Sequence, residues 1–137
     1  EGESNVEKQN DVRRALKGKT SLYDPLSASQ FVILDSSSAY LQAAEASALR
    51  LGITLKTFQL PEAMFAEVSG LPKSTCLFIE HNPNGVFDGI EVAKRLADLG
   101  FKNLVLISDF VPDIPEVDCV RRVMDKNLPI FRVKEEA

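Results

Sequence analysis

Long apolar runs are the first thing this 137-residue chain lacks. No stretch approaches the roughly 18 residues a membrane-spanning helix needs and no signal peptide is legible, so membranes are excluded as partners and a cytoplasmic setting is expected. Positive charge is short as well. Lys and Arg number 16 against 20 Asp and Glu, a net charge of -4, the reverse of the electrostatic footprint that DNA or RNA binding demands. Cysteine is scarce: Cys76 and Cys119 stand far apart in apolar surroundings without metal-type spacing, and read as buried free thiols of a reducing compartment. His81 is the only histidine, and one histidine with two distant cysteines does not build a zinc site. No triple-glycine turn follows the first apolar run, which excludes a dinucleotide fingerprint. No Gly-x-Ser-x-Gly elbow surrounds Ser36, Ser37 and Ser38, so those serines read as helix caps rather than nucleophiles.

What is present fits one compact domain, with 45% apolar and 26% charged residues. From Phe31 onward, short apolar runs alternate with amphipathic stretches, as when strands and helices take turns. Runs at 31–34, 53–58, 75–79 and 104–107 predict four strands, and 119–124 a fifth. A rival reading of the last segment notes that Val117, Val120, Val123, Met124 and Leu128 recur at helical spacing, which would make it a helix and move the final strand to 130–133. Helices are expected over 39–51, capped by Ser37 or Ser38 and stopped by Gly52, and over 61–69, opened by Pro61. A third runs from Asp88, which with Glu91 forms a capping-box pattern, to Gly100, with Ile90, Ala93, Leu96 and Ala97 on one face. Residues 110–116 hold two prolines and read as an irregular connection. Residues 1–30 are polar and charged, and read as an N-terminal helix over about 4–17, striped by Val12, Ala15 and Leu16, plus a linker ahead of a domain over 31–137.

In an open parallel sheet, ligands gather at the carboxyl ends of the strands. The polar residues there are Asp35 and Ser36, Glu80 and His81, Ser108 and Asp109, and Lys126. A carboxylate pair, a hydroxyl and a lysine converging on one rim can hold a divalent cation and a cluster of anionic oxygens. The order of these pieces resembles the receiver domain of bacterial two-component signalling. Phe-Val-Ile-Leu-Asp-Ser-Ser at 31–37 resembles the first strand and its acidic pair. Residues 77–93, Leu-Phe-Ile-Glu-His-Asn-Pro-Asn-Gly-Val-Phe-Asp-Gly-Ile-Glu-Val-Ala, resemble the phosphoacceptor strand, its proline-bearing loop and the Asp-Gly that opens a helix. Leu-Val-Leu-Ile-Ser at 104–108 resembles the strand ending in the switch hydroxyl, and Asp-Lys-Asn-Leu-Pro at 125–129 the closing lysine motif. The resemblance implies an α/β, flavodoxin-like three-layer sandwich with a five-stranded parallel sheet in the order 2-1-3-4-5. Here the fourth helix is expected to be shortened or missing because residues 110–116 hold two prolines, and the fifth because only residues 130–137 follow the lysine motif. The apolar face left uncovered would be closed by the N-terminal helix or by a second copy of the chain.

The departures from that pattern define the functional expectation. One acid, Asp35, stands where the family carries two, and Ser36 replaces the second. The phosphoacceptor position holds Glu80, or His81 if the count is taken back from Asp88-Gly89, and Lys126 and Lys134 are both open as the closing lysine. A glutamate carries its carboxylate about 1.5 Å further out than an aspartate, and a displacement of about 1 Å can cost a factor of about 100 in rate. Asp35 and Glu80 could at most hold Mg2+ weakly, since a third carboxylate is gone, so no cofactor is expected. The remnant site is therefore Asp35, Ser36, Glu80, Ser108 and Lys126, with Glu80 reaching toward Ser108 and Lys126 as an ion pair. Arg121 and Arg122 read as a solvated pair, and Asp113, Glu116 and Asp118 as a charged loop. The chain is thus expected to be a non-enzymatic pseudo-receiver, as in a hybrid histidine kinase. It would dock a histidine kinase, a phosphotransfer or other signalling protein, or a second copy of itself, without being phosphorylated. The alternatives are a phosphoaccepting receiver with an unusual acidic site and a small α/β enzyme that shares only the fold.

Overall fold

A computed structural model describes residues 30–127 and Phe131. The expected N-terminal helix and Lys134 lie outside the described residues. Five strands form one parallel sheet: β1 (Phe31–Leu34), β2 (Leu55–Phe58), β3 (Cys76–Glu80), β4 (Asn103–Ser108) and β5 (Arg122–Asp125). Their spatial order is β2-β1-β3-β4-β5, the doubly wound arrangement in which the chain reverses its direction of growth between β1 and β3. Three α-helices connect them among the described residues: α1 (Ser38–Leu51), α2 (Pro61–Val68) and α3 (Gly89–Asp98). A single 3-10 turn, Val111–Asp113, stands between β4 and β5 where a fourth helix would run.

Successive strand side chains point to opposite faces, and this alternation divides the core in two. Phe31, Ile33, Phe78, Val105 and Ile107 pack with Leu41, Ala44 and Ala48 of α1, and Phe131 is buried against Phe31 and Phe78 on the same side. Val32, Leu34, Leu77, Ile79, Leu104 and Leu106 pack on the other side with Met64 and Val68 of α2 and Val92, Ala93 and Leu96 of α3. Covering on both faces explains why β1, β3 and β4 read as unbroken apolar runs. The helix ends follow local chemistry. The Ser37 hydroxyl accepts from the Tyr40 amide, 3.1 Å away, and Gly52 closes α1 at φ 70°, a left-handed conformation that favours glycine.

Some expectations shift. The Asp88 carboxylate accepts from the amides of both Ile90 and Glu91, and α3 buries Val92, Ala93 and Leu96 while Ile90 and Ala97 are only half-buried. Residues 122–125 form a strand, not the rival helix, because they pair with β4 from Val105↔Arg122 to Ser108↔Asp125. Arg122 is therefore buried, not a solvated arginine. Cys76 is buried and Cys119 only half-buried, and the two form no disulfide.

Candidate functional site

The site follows from register and alternation. Leu34 pairs with Ile79, so Asp35 and Glu80, one residue beyond each, end adjacent strands side by side. Both continue the parity of Phe31, Ile33 and Phe78, the face that α1 covers. Lys126 follows β5 with the parity of Met124, which packs on that same face, and its amide donates to the Ser108 carbonyl at 2.9 Å. Three chain segments thus deliver two carboxylates and an ammonium to one point beneath the first turn of α1.

Lys126 Nζ lies 2.7 Å from Asp35 Oδ2 and 3.5 Å from Glu80 Oε2. Asp35 is fully buried and Glu80 is 7% exposed. The second oxygen of each carboxylate is held by the β1–α1 connection: Asp35 Oδ1 accepts from the Ser37 amide at 2.8 Å, and Glu80 Oε1 accepts from both the amide and the hydroxyl of Ser36 at 2.9 Å. The Tyr40 ring completes the enclosure, with Lys126 Nζ 4.6 Å from its centroid, a cation–π distance. The closer partner of the lysine is Asp35 rather than Glu80, and Glu80 reaches toward Ser36, not Ser108. Ser36, expected to stand in place of a second acid, is thus the residue that anchors the glutamate.

Burial and charge act on these groups in opposite directions. For Asp35, burial outweighs the lysine hydrogen bond and the Ser37 amide, and the carboxyl is raised above its ordinary value. For Lys126, burial favours the neutral amine, but the hydrogen bond and charge of Asp35, with Glu80 and Asp109 behind it, prevail and the ammonium is raised. The Tyr40 hydroxyl is driven well above its ordinary value by burial and by the charges of Asp35, Asp109 and Glu80. The ammonium is therefore retained at neutral pH.

Alternation also decides which expected residues stay apart. Ser108 has the parity of Leu104 and Leu106, the opposite face, and its hydroxyl accepts from the Phe110 amide at 3.1 Å. His81 has the parity of Ile79 and leaves the sheet on the α3 side, where it lines a hollow with Asn82, Val86 and Phe87; its Nδ1 is buried without a hydrogen-bond partner. It is half-buried rather than a solvated loop residue. Sequence reasoning missed Tyr40, whose signal was its place in the first turn after the Ser37 cap, and undervalued Asp109, which shares the parity of Ile107 and acts electrostatically on Lys126. Gly89 fixes the far side of the site, since a Cβ there would fall 2.1 Å from the Glu80 carbonyl oxygen. Only glycine lets α3 start against β3.

A divalent cation does not fit this arrangement well. Among the described residues no group of three His, Cys, Asp or Glu is placed to hold a metal ion, and the gap between the two carboxylates is filled by the lysine's own charge.

No protein-family model matches the chain, and no curated protein matches it. Solved structures do. A CheY-like receiver domain from Methylobacillus flagellatus superposes with a TM-score of 0.63 at 16% identity, covering 80% of this chain and 98% of that one. A response regulator from Thermotoga maritima, solved in complex with Mg2+ and BeF, gives 0.63 at 14% identity over 78% of this chain and 94% of its own. The N-terminal domain of a response regulator, sensory box and GGDEF protein from Carboxydothermus hydrogenoformans gives 0.62 at 15% identity, covering 78% and 88%. The fold is that of CheY-like receiver domains, with the sheet order expected from the sequence. No helix among the described residues is long and apolar enough to cross a membrane.

Proposed function

We propose that this domain is a non-enzymatic receiver-fold signalling module, a pseudo-receiver that works by protein–protein contact and does not accept a phosphoryl group. One observation carries the reading: Glu80, the strand-end carboxylate in the acceptor position, has both oxygens engaged, Oε1 by Ser36 and Oε2 by Lys126. Phosphoryl transfer to a carboxylate needs a lone pair aimed in line at phosphorus and cationic charge on the transferring oxygens. Here the lone pairs face inward, the reachable cation already neutralises Asp35, and Ser108 turns its hydroxyl to its own loop. In this reading the lysine takes the role of a resident cation, and the module operates without Mg2+. Its partners are a histidine kinase, a phosphotransfer or other signalling protein, or a second copy of the chain, in a cytoplasmic pathway or as part of a hybrid kinase.

A second reading, a phosphoaccepting receiver, is favoured by the convergence of Asp35, Glu80 and Lys126 in a fold whose Thermotoga relative was solved with Mg2+ and BeF. One measurement separates the two. Intact mass after incubation with acetyl phosphate and Mg2+ is expected to stay unchanged; a phosphoryl adduct lost in Glu80→Gln would establish the second reading.

A further inference from the structure

The β4–β5 connection, residues 109–121, carries only the 3-10 turn, and the flank of α3 beside it is left partly open. Two hollows meet along that flank. One, of about 450 Å3, is lined by Ile90 and Lys94 of α3 and by Glu116, Val117, Asp118 and Cys119 of the connection. The other, of about 440 Å3, lies between the N-terminal end of α3 and the β3–α3 loop. Ile90 lines both, so the two hollows adjoin along one groove-like flank, with half-buried Ile90, Val117 and Cys119 among their lining and Val86, 71% exposed, on the β3–α3 loop. The rim is acidic: Glu116 and Asp118 on one wall and Asp88 on the other are exposed, and Asp98 acts on Cys119 from the next turn of the helix. Lys94 is the one cation among the lining residues of both hollows.

We infer that this groove docks a basic segment of a partner protein, one that carries an apolar stripe along one side. The inference rests on the interaction reading above and supplies the chemistry of the partner. An apolar floor under three acidic rim residues selects such a segment on two grounds. The floor contributes contact area that water cannot replace, and the rim attracts lysine and arginine while repelling an acidic competitor. Steering by exposed charge weakens as salt is added, whereas floor contact does not, so the two contributions can be separated.

The test is a heteronuclear NMR titration of the full chain with two synthetic amphipathic peptides of about 14 residues. They share one Leu/Ala face and differ in having Lys or Glu at every polar position. The Lys peptide is expected to shift the amides of Ile90, Lys94, Val117, Asp118 and Cys119 and to lose about tenfold in affinity between low and physiological salt. The Glu peptide should leave those amides still. The paired substitution Glu116→Lys and Asp118→Lys should invert the preference, a result that misfolding cannot imitate. Equal binding of both peptides, or shifts scattered over acids elsewhere, would overturn the proposal. So would movement of the same groove amides in an Arg13→Glu, Arg14→Glu chain without peptide, because the groove would then be filled from within the chain. A silent titration with an unchanged phosphodonor mass sinks the groove alone, whereas a phosphoryl adduct sinks the interaction reading beneath it.

Discussion

Two regions at the carboxyl end of the sheet are built in opposite ways. Around β1 and β3 every charge is buried and answered: Asp35, Glu80 and Lys126 close on one another, Ser36 and Ser37 hold the outer oxygens, and Tyr40 covers the ammonium. A few residues away, between the β3–α3 loop and the β4–β5 connection, half-buried apolar side chains line open hollows and the acids face water. The first region is closed by its own charges, and the second presents half-buried apolar side chains beside exposed acids. Under the proposed reading, that contrast would move function from the strand ends to the flank of α3.

Substitutions on the two sides should differ sharply. The largest effect is expected from Lys126→Met, which leaves two neighbouring buried carboxylates without a counter-charge and should cost about 3–5 kcal/mol in urea unfolding. Adding Asp35→Asn should restore part of that loss; a Lys126→Met chain as stable as the parent would mean the pair is not closed. Gly89→Ala comes next. A methyl group 2.1 Å from the Glu80 carbonyl oxygen forces α3 off β3, with an expected cost on the order of 2–3 kcal/mol. Native-like amide spectra of that variant at parent stability would refute the close approach.

The pH dependence is smaller and has a definite sign. Lys126 is raised above its ordinary 10.5, so its contribution is complete below that pH and is lost as pH rises from 10.5 through the folded value. Asp35 is raised above 3.8, so protonation favours the fold in the window just above 3.8, and this carboxyl does not drive acid unfolding. Urea midpoints measured up to about pH 12 should therefore fall above 10.5 in the parent chain and fall less steeply in Asp35→Asn. The smallest effect belongs to the open region. Val86→Ser should stay within about 0.5 kcal/mol of the parent, because the side chain is mostly in water already. A larger change there would show that the rim is structural, and the contrast between the regions would narrow.

Most of the architecture was legible because it depends on local signals. Apolar runs bounded by Gly52 and Gly100, the serine cap at Ser37 and the proline opening at Pro61 fix where elements start and stop. The last strand was ambiguous for a physical reason. Along 117–128 the apolar positions of the sequence satisfy both periods, and pairing with β4 selects the extended form at Arg122–Asp125, burying Arg122 with it. The membership of the site was legible in part. Asp35, Glu80 and Lys126 are recoverable by counting alternation from the strand cores, and the same count sets Ser108 and His81 on the other face. The serine in place of the second acid looked like a loss when read residue by residue, and proved to be the donor that holds Glu80.

By itself the sequence determined which residues could reach the rim of the sheet: period-two alternation and strand length are properties of the local chain. Tertiary structure alone decided how they combine there. Whether Lys126 prefers Asp35 to Glu80, whether Ser36 turns inward, and whether α3 leaves a groove beside the β4–β5 connection depend on distances between segments far apart in sequence. Those distances are set by the register of β1 against β3 and by the glycine that lets α3 approach. Charge interactions change steeply over an ångström in a buried site, and no pattern along the chain carries that ångström.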